Sequence, residues 1–233
     1  MGFLYYMDPL YLTVAVISMV IMLIAQVLVK SRFSRYSKVS NSRGMTGRDA
    51  AEAVLHANGV TGVSIERCKG SMTDHYDPRS NVIRLSEAVY DSCSIAAVGV
   101  AAHEAGHAVQ YAENYFPIRV RTAILPLAQH GPMIGIILMF LGAALSFFGM
   151  VVTGLVLFGM TFLFQFATLP VEFNASHRAL KTITEQGLLN PAEYDGAKNV
   201  LTAAALTYVA AMIQSLLTLL YYAVRLLGNN RRN

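Results

Sequence analysis

The chain has 233 residues, of which 55% are hydrophobic and 14% are charged, whereas about 25% are charged in typical soluble domains. This composition favours a membrane protein over a large soluble one. The net charge is +4, but the basic residues lie beside apolar runs and are not interleaved with aromatic residues, which excludes a nucleic-acid-binding surface. Cys68 and Cys93 are too few for a disulfide framework.

The first predicted element is a transmembrane helix. Residues 9–29 form an apolar run of about the 20 residues that cross a bilayer. No basic residue precedes the run and no small-residue cleavage site follows it, so we expect a retained anchor. The positive-inside rule places the following segment in the cytoplasm, although an acidic partner could instead bind its basic residues, which are Lys30, Arg32, Arg35, Lys38, Arg43 and Arg48.

A small α+β module is predicted next, in the order helix, strand, strand, helix. The first helix begins with Thr46 as its cap and Asp49 three residues on, and it ends at Asn58-Gly59, a typical helix stop. Residues 60–68 and 81–85 have the alternation and composition of strands. A module of fewer than about 80 residues is not very stable alone, so we expect it to rest on membrane helices.

The polar segment between the two predicted strands contains Asp74, His75 and Tyr76. It directly precedes the strand that leads into the next helix, so His75 or Tyr76 could contact a substrate or a transition-state oxygen. A solvated turn is the alternative, because Asp and Pro at residues 77 and 78 favour turns.

The helix that follows carries the motif H-E-x-x-H, with His103, Glu104 and His107 at the fixed positions. Residues four apart lie on one helix face, so both imidazoles can face one metal ion. Glu104 is placed to act on a metal-bound water. The flanking residues are apolar, which predicts a buried helix, capped by Ser92 or Ser94. Two core histidines bonded to backbone carbonyls are the alternative.

Two further apolar runs, at about residues 126–148 and 150–169, predict a transmembrane hairpin. A hairpin returns the chain to the membrane face that it left, so Glu172 is predicted to emerge beside the two histidines. We therefore predict Glu172 as the third metal ligand, with Ser176 or Asn174 bonded to a ligand. Pairing of Glu172 with Arg178 is the alternative. Residues 201–227 predict a fourth transmembrane helix.

The ligand set predicts a catalytic zinc site. The extended motif H-E-x-x-H-x-x-G-x-x-H is excluded because Gln110 and Glu113 stand where it needs Gly and His. The other candidate third ligands are Glu113, which lies on a different helical face from His107, and His130, which lies near the start of the first hairpin helix, a position more typical of a histidine near the headgroups. Two histidines and a glutamate leave a fourth position for water. We expect one Zn²⁺ per chain and peptide hydrolysis with Glu104 as general base, on a substrate extended along an edge strand.

Several motifs resemble the YugP-type neutral zinc metallopeptidases. They are DHYDPR at 74–79, LSE at 85–87, SIAA at 94–97, AAHEAGHAVQ at 101–110, LPVEF at 169–173 and AS at 175–176. The resemblance covers nearly the whole chain. It implies a bacterial integral-membrane zinc peptidase, gluzincin-like, with His103, His107 and Glu172 as ligands and Glu104 as catalytic base. It also implies that Asp74, His75 and Tyr76 belong to the site.

The predicted fold is a mainly α membrane protein, with four transmembrane helices and a small zincin-like α+β module that carries the H-E-x-x-H helix. The predicted divisions are an anchor at 1–30, a cytoplasmic module at 31–122, a hairpin at 123–170, a cytoplasmic helix at 171–200 and a last transmembrane helix at 201–233. The predicted location is the plasma (inner) membrane, with the active site on the cytoplasmic face. The predicted partners are a protein or peptide substrate and the lipid bilayer. A non-catalytic scaffold or chaperone with structural zinc is the alternative function, and a membrane-protein partner or homo-oligomer remains open.

Overall fold

The structure is a computed structural model that describes the backbone of residues 8–229 and the side chains of residues 8–226. The outer ends of the first and last predicted divisions, residues 1–7 and 230–233, lie outside this range. In chain order the elements are α1 (Pro9–Tyr36), α2 (Gly47–Ala57), β1 (Ser64–Cys68), β2 (His75–Asp77), β3 (Val82–Ser86), α3 (Glu87–Tyr90), α4 (Ile95–Ala112), α5 (Phe116–Ala144), α6 (Phe148–Glu185) and α7 (Pro191–Asn229).

The chain forms two compact units. The first, here called the helical unit, contains the residues up to Ala25, residues Arg119–Leu169 and the residues from Thr207 onward. The second, here called the site unit, contains Gln26–Ile118 and Pro170–Leu206. All of the residues predicted for the metal site belong to the site unit.

Within the described residues, four helices are long and apolar enough to cross a membrane: α1, α5, α6 and α7 as far as Leu226. Large apolar side chains of the helical unit are exposed, among them Met19, Phe140 and Phe166. Such extensive apolar exposure is typical of surfaces that contact lipid rather than water. The prediction of a mainly α membrane protein with four transmembrane helices is therefore confirmed.

In the helical unit, α5 and α6 make a close backbone contact. A Cβ atom at Gly135 would lie 2.5 Å from the carbonyl oxygen of Gly154, and a Cβ atom at Gly154 would lie 2.5 Å from that of Gly135. Side chains at either position would separate the helices, so the two glycines permit close packing of this pair.

The sheet of the site unit has three strands in the order β1-β3-β2. β1 is parallel to β3, whereas β2 is antiparallel to it and pairs Tyr76 with Ile83. The predicted order of helix, strand, strand, helix therefore lacked one strand. β2 was missed because it has only three residues and runs directly into Asp77-Pro78, which indicates a turn. The first strand begins at Ser64, later than predicted, because Gly62 has a φ of 78°.

The core of the site unit lies between the sheet and the helices α2 and α4. Its fully buried side chains include Val54 on α2, Ile83 on β3, and Val98 and Val109 on α4. Both helices have the predicted N-caps: Thr46 forms a reciprocal capping box with Asp49, and Ser94 accepts a hydrogen bond from the Ala97 amide. These caps satisfy amide groups that a helix leaves without internal partners.

The helix α6 continues through Pro170, where the sequence predicted the end of the hairpin. Proline lacks the amide hydrogen and removes one internal hydrogen bond, but this loss does not end the helix. Glu172, Asn174 and Ser176 therefore lie on the continuation of a transmembrane helix rather than on a separate one.

Candidate metal centre

The site is formed where α4 and α6 touch within the site unit. A Cβ atom added at Gly106 would lie 2.7 Å from the carbonyl oxygen of Ala175, and closer than 3.4 Å to two further backbone atoms of that residue. Only a residue without a side chain allows this approach. Gly106 lies directly before His107, so the contact holds the H-E-x-x-H face of α4 against the turn of α6 that carries Glu172.

The side chains of His103, His107 and Glu172 meet at this contact. Glu172 Oε2 lies 3.4 Å from Nε2 of His103 and 3.5 Å from Nε2 of His107. The potential ligand atoms of the three residues all lie within 4.8 Å of one another. Two atoms that each lie about 2.0–2.1 Å from a tetrahedral zinc ion are about 3.4 Å apart. The three residues therefore fit one zinc ion without a change of fold.

Neither Arg178, the alternative partner of Glu172, nor His130, another candidate ligand, belongs to this group. Arg178, the candidate partner of Glu172, forms an ion pair of 2.7 Å with Glu113 and donates to Asn174. His130 belongs to the helical unit and is exposed. The group of possible metal ligands found within the described residues contains neither of them.

Each imidazole has a hydrogen-bonding partner at its Nδ1 atom. The Ser176 hydroxyl lies 3.1 Å from Nδ1 of His103, and Gln110 Oε1 lies 3.0 Å from Nδ1 of His107. These contacts leave both Nε2 atoms directed toward Glu172. A partner at the second ring nitrogen fixes the orientation of a metal-binding histidine.

Gln110 was not among the residues that the sequence analysis proposed for the site. Its side chain is completely buried, and its amide donates to the Val171 carbonyl over 2.8 Å and to Asn174 Oδ1 over 2.9 Å. Gln110 lies three residues after His107, the last residue of the motif, but the groups that orient its amide, Val171 and Asn174, lie on a helix distant in sequence. The spacing of Gln110 from His107 allowed their contact, but no local pattern could have identified the bonds to α6 that orient the amide.

The Glu104 side chain is almost completely buried and accepts a hydrogen bond of 3.0 Å from the Tyr76 amide. Burial raises the pKa of the Glu104 carboxyl, and the nearby His103 and His107 partly oppose this shift. Burial alone would lower the pKa of His107, but the Glu172 carboxylate raises it above its ordinary value. A buried carboxyl with a raised pKa next to candidate ligands is typical of a group that exchanges a proton.

The three polar residues predicted from the segment before β3 have different contacts. Asp74 accepts hydrogen bonds from the amide and hydroxyl of Ser86, which fasten the beginning of β2 to the end of β3. Tyr76 donates its hydroxyl to Asn81 Oδ1 over 2.7 Å, whereas its main-chain amide donates to Glu104. His75 is exposed, with Nδ1 2.8 Å from the Thr73 carbonyl.

The fold and the site together define a membrane protein with an H-E-x-x-H helix and a glutamate from a second helix. The chain belongs to the family described as "Putative neutral zinc metallopeptidase", whose model matches residues 11–227. A protein of Bacillus subtilis (strain 168) described as "Putative membrane protease YugP" is 43% identical over 209 residues, which are 90% of this chain and 93% of the relative. The family resemblance inferred from the sequence motifs is thus confirmed. No solved structure matches the chain.

Proposed function

We propose that this protein is an integral-membrane zinc endopeptidase, with His103, His107 and Glu172 as ligands of one zinc ion per chain and Glu104 as general base. The observation that carries the proposal is the position of Glu172 Oε2, 3.4 and 3.5 Å from the two Nε2 atoms. Three protein ligands leave one coordination position open, as in catalytic rather than structural zinc sites.

A zinc ion at these residues would lower the pKa of a bound water to about 7 and polarise a peptide carbonyl. Glu104 would take a proton from the attacking water and pass it to the leaving amine. Burial raises the pKa of the Glu104 carboxyl, which favours uptake of the proton that the second transfer delivers. The Tyr76 amide holds the carboxylate in place for both transfers.

The substrate is proposed to bind as an extended strand along β2. This strand is at the edge of the sheet, and the Tyr76 amide is turned toward Glu104 rather than toward β3. A peptide that adds to such an edge gains main-chain hydrogen bonds independently of its sequence. The edge also lies beside the general base, so a bound peptide would be close to the proposed reacting groups.

The active site is proposed to face the cytoplasm of a bacterial cell, with the protein in the plasma membrane. Lys30, Arg35 and Lys38 are exposed at and after the end of α1, and positive residues beside a transmembrane helix favour the cytoplasmic side. These residues and the three ligands belong to the same site unit.

The test compares wild-type protein with Glu104→Gln, purified in detergent and loaded with zinc, on quenched-fluorescence casein. We expect Glu104→Gln to lose at least about a hundredfold in cleavage rate while it keeps its zinc. Glu52→Gln is the matched control, because Glu52 is exposed and pairs only weakly with Arg48, and it should cleave like wild type. Undiminished cleavage by Glu104→Gln would refute the mechanism, and zinc binding without any cleavage by wild type would favour a scaffold with structural zinc.

A further inference from the structure

The buried amide of Gln110 connects the two helices that carry the metal ligands. We propose that Gln110 is a positioning residue that imposes on His107 the tautomer needed for metal binding. The inference rests on the zinc ligation proposed above and concerns the orientation of one ligand. It follows from which of the surrounding groups can only donate and which can only accept.

The orientation of the Gln110 amide is fixed by groups on α6. The Val171 carbonyl, 2.8 Å away, can only accept, so the Gln110 atom that faces it is the nitrogen. Asn174 independently gives the same orientation of the Gln110 amide. Arg178 Nε can only donate, so the Asn174 atom that it contacts is the oxygen Oδ1. This oxygen lies 2.9 Å from Gln110 Nε2, which must therefore be the donor. The Gln110 oxygen must then face His107.

This orientation determines where the His107 ring carries its hydrogen. Gln110 Oε1 can only accept, so Nδ1 of His107, 3.0 Å away, carries the hydrogen. The neutral ring then has its lone pair at Nε2, which is the atom that faces Glu172. His103 differs, because the Ser176 hydroxyl at its Nδ1 can both donate and accept, so this contact orients the ring without imposing a tautomer.

The network continues to the surface of the site unit. Arg178 pairs with Glu113, which caps the C-terminal end of α4, and its guanidinium lies 5.8 Å from the centre of the Tyr115 ring. Arg178 thus fixes Asn174 and is itself held by Glu113 at the C-terminal end of α4. The groups that orient Gln110 therefore lie on α6, which is in turn bonded to α4.

The experiment measures zinc affinity by competition with a chelator, together with the visible spectrum of the Co²⁺-substituted protein. Gln110→Met keeps the side-chain length but replaces the carbonyl oxygen with a sulfur that accepts only weakly, and we expect its zinc Kd to rise about tenfold to a hundredfold with altered Co²⁺ bands. Gln110→Glu keeps an acceptor and loses the donors, so its zinc Kd should stay within about threefold of wild type while its thermal stability falls. Gln186→Met, at an exposed glutamine, is the control and should match wild type.

A zinc Kd of Gln110→Met within twofold of wild type would overturn the inference, and so would an equal loss in Gln110→Glu. If neither variant folds, long-range ¹H–¹⁵N spectra of zinc-loaded wild-type protein labelled at histidine decide the matter. We expect His107 with Nδ1 protonated and Nε2 bound to the metal, and a protonated Nε2 would overturn the inference. Failure of wild-type protein to bind zinc would instead refute the proposed function.

Discussion

The main-chain amide of Tyr76 donates a hydrogen bond of 3.0 Å to the carboxylate of Glu104. Tyr76 belongs to β2, the edge strand of the sheet, and Glu104 belongs to α4. The bond therefore joins the proposed substrate-binding edge to the proposed general base. The amide is free for this contact because Tyr76 does not use it to pair with β3. A displacement of β2 would therefore also displace the Glu104 carboxylate.

Two substitutions of Tyr76 test the roles of its main-chain amide and of its hydroxyl separately. Tyr76→Pro removes the amide hydrogen at a position where an edge strand tolerates proline, and we expect kcat/KM for casein to fall about tenfold to a hundredfold because Glu104 loses its anchor. Tyr76→Phe should stay within about threefold of wild type, because the hydroxyl is bonded to Asn81. An equal loss in both variants would show that the hydroxyl acts in the reaction.

Replacement of Gly106 tests the contact between α4 and α6. Gly106→Ala places a Cβ atom 2.7 Å from the Ala175 carbonyl, and we expect a loss of about 1–3 kcal/mol in the free energy of unfolding, with weaker zinc binding. The matched control is Gly159→Ala on α6, whose Cβ atom would have its nearest neighbours at 3.5 and 3.6 Å. Thermal unfolding and zinc titration measure both variants, and equal stability of the two would contradict the close contact.

Replacement of Ser176 tests the orientation of His103. Ser176→Ala removes the hydroxyl 3.1 Å from Nδ1, and we expect zinc affinity to fall about tenfold. Thr184→Ala on the same helix removes an exposed hydroxyl that donates to the Leu180 carbonyl and serves as control. Competition with a chelator gives both dissociation constants, and similar values for the two variants would exclude an orienting role for Ser176.

The attachment of β2 to β3 should depend on pH through Asp77. Hydrogen bonds from Ser80, Arg84 and the Arg79 amide hold the pKa of the Asp77 carboxyl well below its ordinary value. A lowered pKa stabilises the folded state at pH values above the ordinary value of about 4, and this stabilisation is lost as the pH falls toward the lowered one. We expect zinc-free wild type to unfold at a higher temperature than Asp77→Asn at pH 7, with a smaller difference at pH 3. A difference that is constant between these pH values would contradict this assignment.

Much of the site unit follows from short-range patterns in the sequence. Three predicted features depend only on residues within about one helical turn, and each is present. They are the spacing of His103 and His107, the N-cap at Ser94 and the capping box at Thr46. The meeting of Glu172 with the histidines was predicted from the order of the apolar runs, since a hairpin returns a chain to its starting side.

The remaining features depend on contacts that no short pattern records. β2 is stabilised by pairing with β3 and by the bonds of Asp74 to Ser86, which outweigh the turn preference of its own residues. The α6 helix passes through Pro170 although the local preference is for a helix end. The role of Gln110 depends on an acceptor at Val171, which only the folded contact of α4 with α6 supplies.

The most direct test is the zinc content of Glu172→Ala after dialysis against a moderate excess of chelator. Glu185→Ala on the same helix is the control, because Glu185 is exposed and pairs with Lys181 over 3.8 Å. We expect one zinc ion per chain in wild type and in the control, and much less than one in Glu172→Ala, because two histidines alone hold the ion weakly. Retention of a full zinc ion by folded Glu172→Ala would contradict the proposed metal centre.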